Sequence, residues 1–288
     1  MSKKNILVKP YLKWAGGKRQ LLSELKKYIP KRIDTYYEPF VGAGALLFEL
    51  QPKKFIINDA NSELIMTYNE IKDNLEALIS ELEIYTTKNE KDMYYAIRDI
   101  DRTPQFLKYS STQKAARLIY LNKTCYNGLY RVNSQGEFNT PYGFYKSPGI
   151  CDKPRLIAVS EFLNGAQLAT ITNGDFKKCV DKATSKDFVY FDPPYHSESR
   201  TNFTGYQANG FDETEQKRLF ETFESLKKRN VKCMLSNSST SFTNNLYSDY
   251  KIISVKANRA INSEGSNRGP VDEIIVLNWW PEEENEKK

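Results

Sequence analysis

Tyr36-Tyr37-Glu38-Pro39-Phe40-Val41-Gly42-Ala43-Gly44 is the stretch that decides the fold. A short β-prone run over residues 35–40 breaks into a turn with two glycines, and residues 45–50 then read as helix. Phe55-Ile56-Ile57-Asn58-Asp59 is a second strand that ends in a carboxylate. Strand, glycine turn, helix, strand is the opening of a nucleotide-binding α/β unit. Glycines after a strand let backbone amides come close to a ligand, and the next helix offers its positive N-terminus. Alone the turn is a weak signal. It lacks the third glycine of a dinucleotide fingerprint, and it also fits a tight turn with no ligand. Asp59 adds weight, because an acidic residue at the end of the next strand is placed to hold ribose hydroxyls. As an N-cap of the following helix it would need no ligand.

Outward from this core, residues 20–28 carry Leu21, Leu22, Leu25 and Tyr28 at helical spacing before Pro30, which predicts one helix. Residues 1–5 read as a frayed tail. From residue 62 to about 121 the chain is nearly free of glycine and proline. Helical spacing runs through Leu64, Ile65, Tyr68 and Ile71, again through Leu75, Leu78, Ile79 and Leu82, and over residues 115–122. Residues 127–148, rich in Gly, Asn, Ser and Pro, read as a loop or hairpin. This stretch interrupts the α/β pattern and is expected to be an inserted, mainly helical domain, residues 62–164. Residues 1–61 and 165–288 would form the other domain. Strands are expected at 167–171, 187–191 and 232–235, with an amphipathic helix at 216–228. Residues 252–257 and 273–279 read as an antiparallel pair flanking a loop of Arg, Asn, Ser and Gly, and the acidic tail after Pro281 reads as disordered.

The chain has 288 residues, 40% hydrophobic and 27% charged, as an ordinary globular protein has. No apolar run approaches the ~20 residues of a membrane span, and no secretory signal is visible, so the expected place is the cytoplasm. Cys125, Cys151, Cys179 and Cys233 are scattered, and His196 is the only histidine. Neither a disulfide framework nor a zinc site is expected from them. Residues 106–155 hold eight Lys or Arg against two Asp or Glu, an excess equal to the whole chain's +6, together with nine aromatics. Basic residues among aromatics suit phosphate contact and base stacking, and they equally suit a solvated face over an aromatic core.

Asp192-Pro193-Pro194-Tyr195 is the most specific signal. Two prolines stop the strand rigidly at the carboxyl edge of the sheet. The Asp192 carboxylate can accept a hydrogen bond from an amine, the Pro193 carbonyl a second, and the Tyr195 ring can stack on a planar base. The set suits an exocyclic amino group on a heteroaromatic ring. Two acceptors drawing on its two hydrogens turn the nitrogen lone pair outward, toward an electrophilic methyl group.

With these motifs the chain resembles the Dam-type, D12-class adenine-N6 DNA methyltransferases over residues 9–279. The matching pieces are Lys13-Trp14-Ala15-Gly16-Gly17-Lys18, Glu38-Pro39-Phe40-Val41-Gly42-Ala43-Gly44, Asn58-Asp59, Tyr126-Asn127-Gly128-Leu129-Tyr130-Arg131, Phe138-Asn139-Thr140-Pro141-Tyr142-Gly143 and Asp192-Pro193-Pro194-Tyr195, in the family's order. The resemblance implies a Rossmann-like S-adenosylmethionine-dependent sheet with an inserted DNA-recognition domain, double-stranded DNA as substrate and no metal. Trp14, Lys18, Glu38, Phe40, Gly42 and Gly44 would line the S-adenosylmethionine site, Asp59 would hold the ribose, and Asp175 and Phe176 the cofactor's adenine. Asp192 would touch the cofactor and sit between it and the target amine, with Pro193, Pro194 and Tyr195 completing the catalytic motif. A base-reading hairpin near 127–143 would use Tyr126, Asn127, Leu129, Arg131 and Pro141, often on the sequence GATC. A cognate restriction endonuclease acting on the same site, without forming a complex, would be a functional partner. Cys125 and Tyr130 fall where the family varies and say little about target choice. The polar run 196–202 departs from the family's pattern. Cytosine-N4 chemistry, adenine in RNA, glutamine in a protein and a catalytically dead DNA binder are the rival readings.

Overall fold

The computed structural model describes residues 4–14, 16–197, 211–258 and 270–281. The expectations for the tail after Pro281, for the loop between the last two strands, and for residues 198–202 lie outside the described residues. Seven strands, β1 (Tyr36–Glu38), β2 (Lys54–Asp59), β3 (Leu168–Asn173), β4 (Phe188–Phe191), β5 (Lys232–Ser238), β6 (Lys251–Asn258) and β7 (Pro270–Leu277), form one sheet in the order β3-β2-β1-β4-β5-β7-β6. The first five are parallel. Strand β7 is antiparallel to both β5 and β6.

β1 and β4 are buried at every position, as central parallel strands covered on both faces must be. Tyr36 and Phe188 serve one apolar core while Tyr37 and Val189 serve the other. On the second face the core is closed by α8 (Phe176–Val180), α9 (Glu213–Lys228) and α10 (Ser241–Leu246). On the first face lie α1 (Leu22–Leu25), α2 (Ala45–Leu50) and α3 (Ser62–Asp73). That core continues without a break into α4 (Leu75–Thr86), α5 (Lys91–Arg98), α6 (Ser111–Thr124) and α7 (Lys153–Gly165). α3 touches β2, β3, α6 and α7 and so joins the helical segment to the sheet.

Three expectations need correction. Residues 20–28 are not one helix: a 3-10 turn at Lys18–Gln20, the single-turn α1, and a 3-10 turn at Lys26–Tyr28 replace it. The apolar spacing still buries Leu21 and Leu25, but so short a segment is held by packing rather than by helix propagation. Strand β5 runs on to Ser238 instead of stopping at Leu235. Its polar end is buried because Ser236 meets the Tyr190 hydroxyl at 2.9 Å and Asn237 donates to Gln216 at 3.0 Å. Residues 4 and 5 are not frayed: Lys4 donates to the Glu49 carbonyl, and Asn5 exchanges two hydrogen bonds with Gln51.

The four cysteines are free thiols. Among the described residues no group of His, Cys, Asp and Glu could hold a metal ion. No helix among them is long and apolar enough to cross a membrane.

Chain order reverses between β1 and β4. From β1 the chain winds outward through β2 to β3, and from β4 it winds the other way to β5. Loops leaving the carboxyl ends of such neighbouring strands diverge and leave a crevice. The glycine turn leaves β1 and Asp192-Pro193-Pro194-Tyr195 leaves β4, so topology alone brings both motifs to one place.

Candidate active site

The glycine turn is fixed from below. Gly42 and Gly44 have φ of +48° and +70°, a region that side chains disfavour. A Cβ on Gly44 would stand 2.7 Å from the Tyr68 hydroxyl, and one on Gly42 would stand 3.0 Å from Trp14 Cδ1. The backbone therefore passes directly beneath Trp14. The Tyr68 hydroxyl donates to the Gly42 carbonyl at 3.0 Å. Asp59 Oδ2 accepts from the Gly42 amide at 3.0 Å and Oδ1 accepts from the Asn61 amide at 2.9 Å. The N-cap of α3 is Asn61, which accepts from Leu64 N, so Asp59 braces the turn rather than capping the helix. Burial raises the Asp59 carboxyl above its usual range against these amide hydrogen bonds. Buried Asn58 ties the turn to the end of β3, donating to Pro39 O at 3.0 Å and Gly174 O at 2.9 Å. Glu38, the buried last residue of β1, accepts from the Tyr36 hydroxyl at 2.9 Å, and burial pushes its carboxyl well above its usual range.

Across the crevice, half-buried Asp192 holds the Lys18 ammonium at 2.8 Å. The same ammonium lies 4.4 Å over the Tyr195 ring. Burial pushes the Asp192 carboxyl up to about 6; Lys18 pulls it down and Glu273 pushes it further up. The loop that carries Asp192 is pinned by side chains that sequence reading passed over. The Tyr195 hydroxyl donates to Glu273 at 2.7 Å. Buried Gln216 donates to the Pro194 carbonyl at 3.0 Å and accepts from Asn237 at 3.0 Å. Asn237 Oδ1 accepts from the amides of His196 and Ser238. His196 stacks on Phe242 at 4.6 Å and shares a hydrogen bond with Thr240. The signal that could have exposed this frame is the polar run Ser236-Asn237-Ser238-Ser239 at the end of a buried strand.

Beside β3 an aromatic wall forms. Phe40 packs on Phe176 at 5.2 Å and on Phe211 edge-on at 5.6 Å. The Arg218 guanidinium lies 4.2 Å over Phe176 and pairs with Asp175 at 2.7 Å. Asp175 also caps α8 through Lys177 N. Burial opposes ionisation of Asp175, and the Arg218 hydrogen bond overrides it, holding the carboxyl below its usual range.

The hairpin folds back on the end of α6. Bridges join Cys125 to Tyr142 and Val132 to Phe138, and the Tyr126 amide donates to Pro141 O at 2.8 Å. Tyr126, Arg131 and Pro141 are exposed, Leu129 is half-buried, and Asn127 takes a left-handed φ of +56°. Arg131 is held by Asn139, through its Nε to Oδ1 at 2.7 Å and its Nη2 to the backbone carbonyl. The basic window does not act as one surface. Arg117 is buried against Asp101 at 2.7 Å, Lys153 pairs with Glu83, and Arg155 pairs with Asp152. Lys108 and Lys146 are exposed.

The strand order, with its antiparallel β7 and a crevice lined by a glycine turn and Asp-Pro-Pro-Tyr, defines a Rossmann-like methyltransferase. The chain belongs to the D12 class of N6 adenine-specific DNA methyltransferases, whose family model matches residues 14–261. It is 45% identical to a type II methyltransferase of Lactococcus lactis subsp. cremoris over 97% of this chain and 98% of that one. It is 41% identical to a type II methyltransferase of Methanocaldococcus jannaschii over 94% and 99%. It is 36% identical to the DNA adenine methylase of Escherichia coli K12 over 93% and 94%. The protein is therefore an adenine-specific DNA methyltransferase, a family that implies S-adenosylmethionine as methyl donor.

Proposed function

We propose that the β1/β4 crevice holds S-adenosylmethionine beside a flipped adenine of double-stranded DNA, and that Asp192 receives the target amine. The observation that carries this reading is the Lys18 ammonium held between the Asp192 carboxylate and the Tyr195 ring. A carboxylate and a ring face that hold a cation there suit a sulfonium and an amine that gains positive charge. The close approach of Gly42 and Gly44 to their neighbours leaves the turn's backbone as the surface a ligand would meet. Trp14, Phe40, Asp59, Asp175 and Phe176 would hold the cofactor, with Lys18 and Glu38 behind it. When bound, the sulfonium supplies an electrophilic methyl group. Asp192 accepts one amine hydrogen, the Pro193 carbonyl accepts the other, and Tyr195 stacks on the base. The amine becomes acidic only as the new bond forms, so an ordinary carboxylate or solvent takes its proton. An adenine in a duplex must leave the stack to reach this crevice.

The hairpin residues Tyr126, Asn127, Leu129, Arg131 and Pro141 would read the site, and GATC is the sequence proposed. Tyr126 would fill the gap in the stack, and Arg131 would take a guanine edge. Residues 62–164 would thus act as the target-recognition domain, and residues 1–61 and 165–288 as the catalytic one. The type II naming of two relatives supports a separate restriction endonuclease reading the same site in the cytoplasm. Single-molecule sequencing of plasmid DNA from a methylation-free host that expresses the chain tests the assignment. Methyladenine confined to GATC is expected, and methyladenine at another sequence discards the hairpin assignments.

Two further outcomes follow. Arg131→Ala is expected to cost about 1–3 kcal/mol in discrimination at one base position; an unchanged preference rejects Arg131 as a reader. The kcat/KM for the cofactor is expected to fall below about pH 6, where Asp192 takes up a proton, and to level off above it. Lys18 holds that carboxyl down, so Lys18→Met moves the limb to higher pH. A limb unmoved in the variant removes Asp192 as its source.

A further inference from the structure

The hairpin and the crevice are joined by a short piece of chain. Asn122, near the end of α6, is 1% exposed and uses its whole amide. Its Oδ1 accepts from the Lys13 amide at 2.9 Å, and its Nδ2 donates to the Lys13 carbonyl at 2.8 Å and the Gly128 carbonyl at 3.0 Å. One side chain thus fastens residue 13 to the first turn of the hairpin. The next residue, Trp14, stacks on Tyr130 of the hairpin at 5.0 Å, with its planes 26° apart. The five-membered ring of Trp14, through Cδ1 and Nε1, lies against the glycine turn at Gly42. A Cβ on Gly128 would stand 2.6 Å from Lys13 Cδ, so the hairpin backbone rests directly on this segment. Four residues beyond Trp14 in sequence, Lys18 reaches Asp192 and Tyr195.

We infer that Asn122 and Tyr130 are positioning residues that couple the reading of DNA by the hairpin to the binding of cofactor in the crevice. A shift of the hairpin moves Gly128 and Tyr130, and neither can move without Lys13 and Trp14. Trp14 lies on the turn that the cofactor would meet, so each ligand biases the placement that the other needs. Tyr130, which the family resemblance left without a role in target choice, takes part here because its ring is the hairpin's contact with Trp14. The Asn122 amide has no spare hydrogen-bonding group on its nitrogen, so a smaller polar residue cannot reproduce the clamp. The inference rests on the assignment of cofactor and DNA to these two regions.

Calorimetry decides it with S-adenosylhomocysteine and a duplex carrying the site that methylation mapping identifies, each titrated with and without the other. The variants are Asn122→Ser, Tyr130→Leu and Tyr130→Phe, each checked for folding by circular dichroism. Wild type is expected to bind each ligand about tenfold more tightly in the presence of the other. Tyr130→Leu and Asn122→Ser are expected to bring that factor to within about twofold of one, while affinity for each ligand alone changes less than the coupling does. Tyr130→Phe keeps the ring and is expected to keep the coupling. If Asn122→Ser fails to fold, the two Tyr130 variants still decide. Independent binding in wild type, or full coupling in Tyr130→Leu, overturns the inference. Absence of either ligand's binding in wild type overturns the site assignment itself, a different result from two ligands that bind without coupling.

Discussion

Asp192→Ala is expected to lower methyl transfer by about 10³-fold, the middle of what one positioned proton acceptor contributes, while binding of duplex DNA stays within severalfold. Asp192 leaves β4 directly before two prolines and is held in place through Pro194, Tyr195 and His196 by Gln216, Glu273 and Asn237. Alanine leaves that frame intact and removes only the group that would meet the amine. It also takes the carboxylate partner from Lys18, which is 5% exposed and is left with the Gly16 carbonyl and the Tyr195 ring. Asp192→Asn separates the two effects. The amide keeps the shape and one acceptor oxygen, but turns donors toward either the amine or Lys18. It is expected to be nearly as inactive as alanine. The measurement is transfer of labelled methyl groups from S-adenosylmethionine to plasmid DNA, beside a gel-shift titration. Turnover above a few per cent of wild type in Asp192→Ala would remove Asp192 from the chemistry. Loss of DNA binding in parallel would point instead to a role in the fold.

The crevice was legible in sequence because its two walls are contiguous motifs at strand ends. The glycines of residues 42 and 44 declare a turn, and the two prolines after Asp192 declare a stop. Parallel strands with the order seen here need only those two signals to place both walls at the switch point. What holds the walls was not legible. Gln216 sits on the inner face of an amphipathic helix, where a polar residue reads as an irregularity. Asn237 and Glu273 are polar positions on strands β5 and β7, and only the antiparallel pairing of those strands brings both to Tyr195 and His196. Asn122 lies 109 residues from Lys13, and no local pattern links them. Asp59 shows a different limit. Its place at the end of β2 fitted either a ribose ligand or a helix cap, and the structure gives it a third task as the brace of the Gly42 amide, with the cap passing to Asn61.

Composition misled most at Arg117, and the largest effect on stability is expected there. Counted in sequence it is one of eight basic residues in an excess that suggested a phosphate-binding face. In the fold it is 2% exposed. Its guanidinium meets Asp101 at 2.7 Å, donates to the carbonyls of Ile97 and Arg98, and lies 5.0 Å from the centre of the Phe106 ring. Asp101 in turn accepts from the amide of Phe138 at 3.0 Å, in the strand that returns from the hairpin tip. Replacing Arg117 with Met keeps the apolar stem and takes from Asp101 its close partner, leaving only Arg102 at 3.9 Å, and takes one donor each from the Ile97 and Arg98 carbonyls. Removal of one partner of a buried pair costs about 3–5 kcal/mol, and chemical denaturation of Arg117→Met is expected to show a loss in that range. Asp101→Asn added to it removes the carboxylate charge while keeping an acceptor for Phe138, so the double variant is expected to recover part of the loss, the sign of a direct coupling. Simple additivity would mean that the two side chains stabilise the fold independently. A loss below about 1 kcal/mol in the single variant would mean that Asp101 finds another partner. Because Asp101 bears on the hairpin, the single variant is also expected to weaken cognate DNA binding more than cofactor binding; an equal loss of both would place the damage in the shared core rather than at the hairpin.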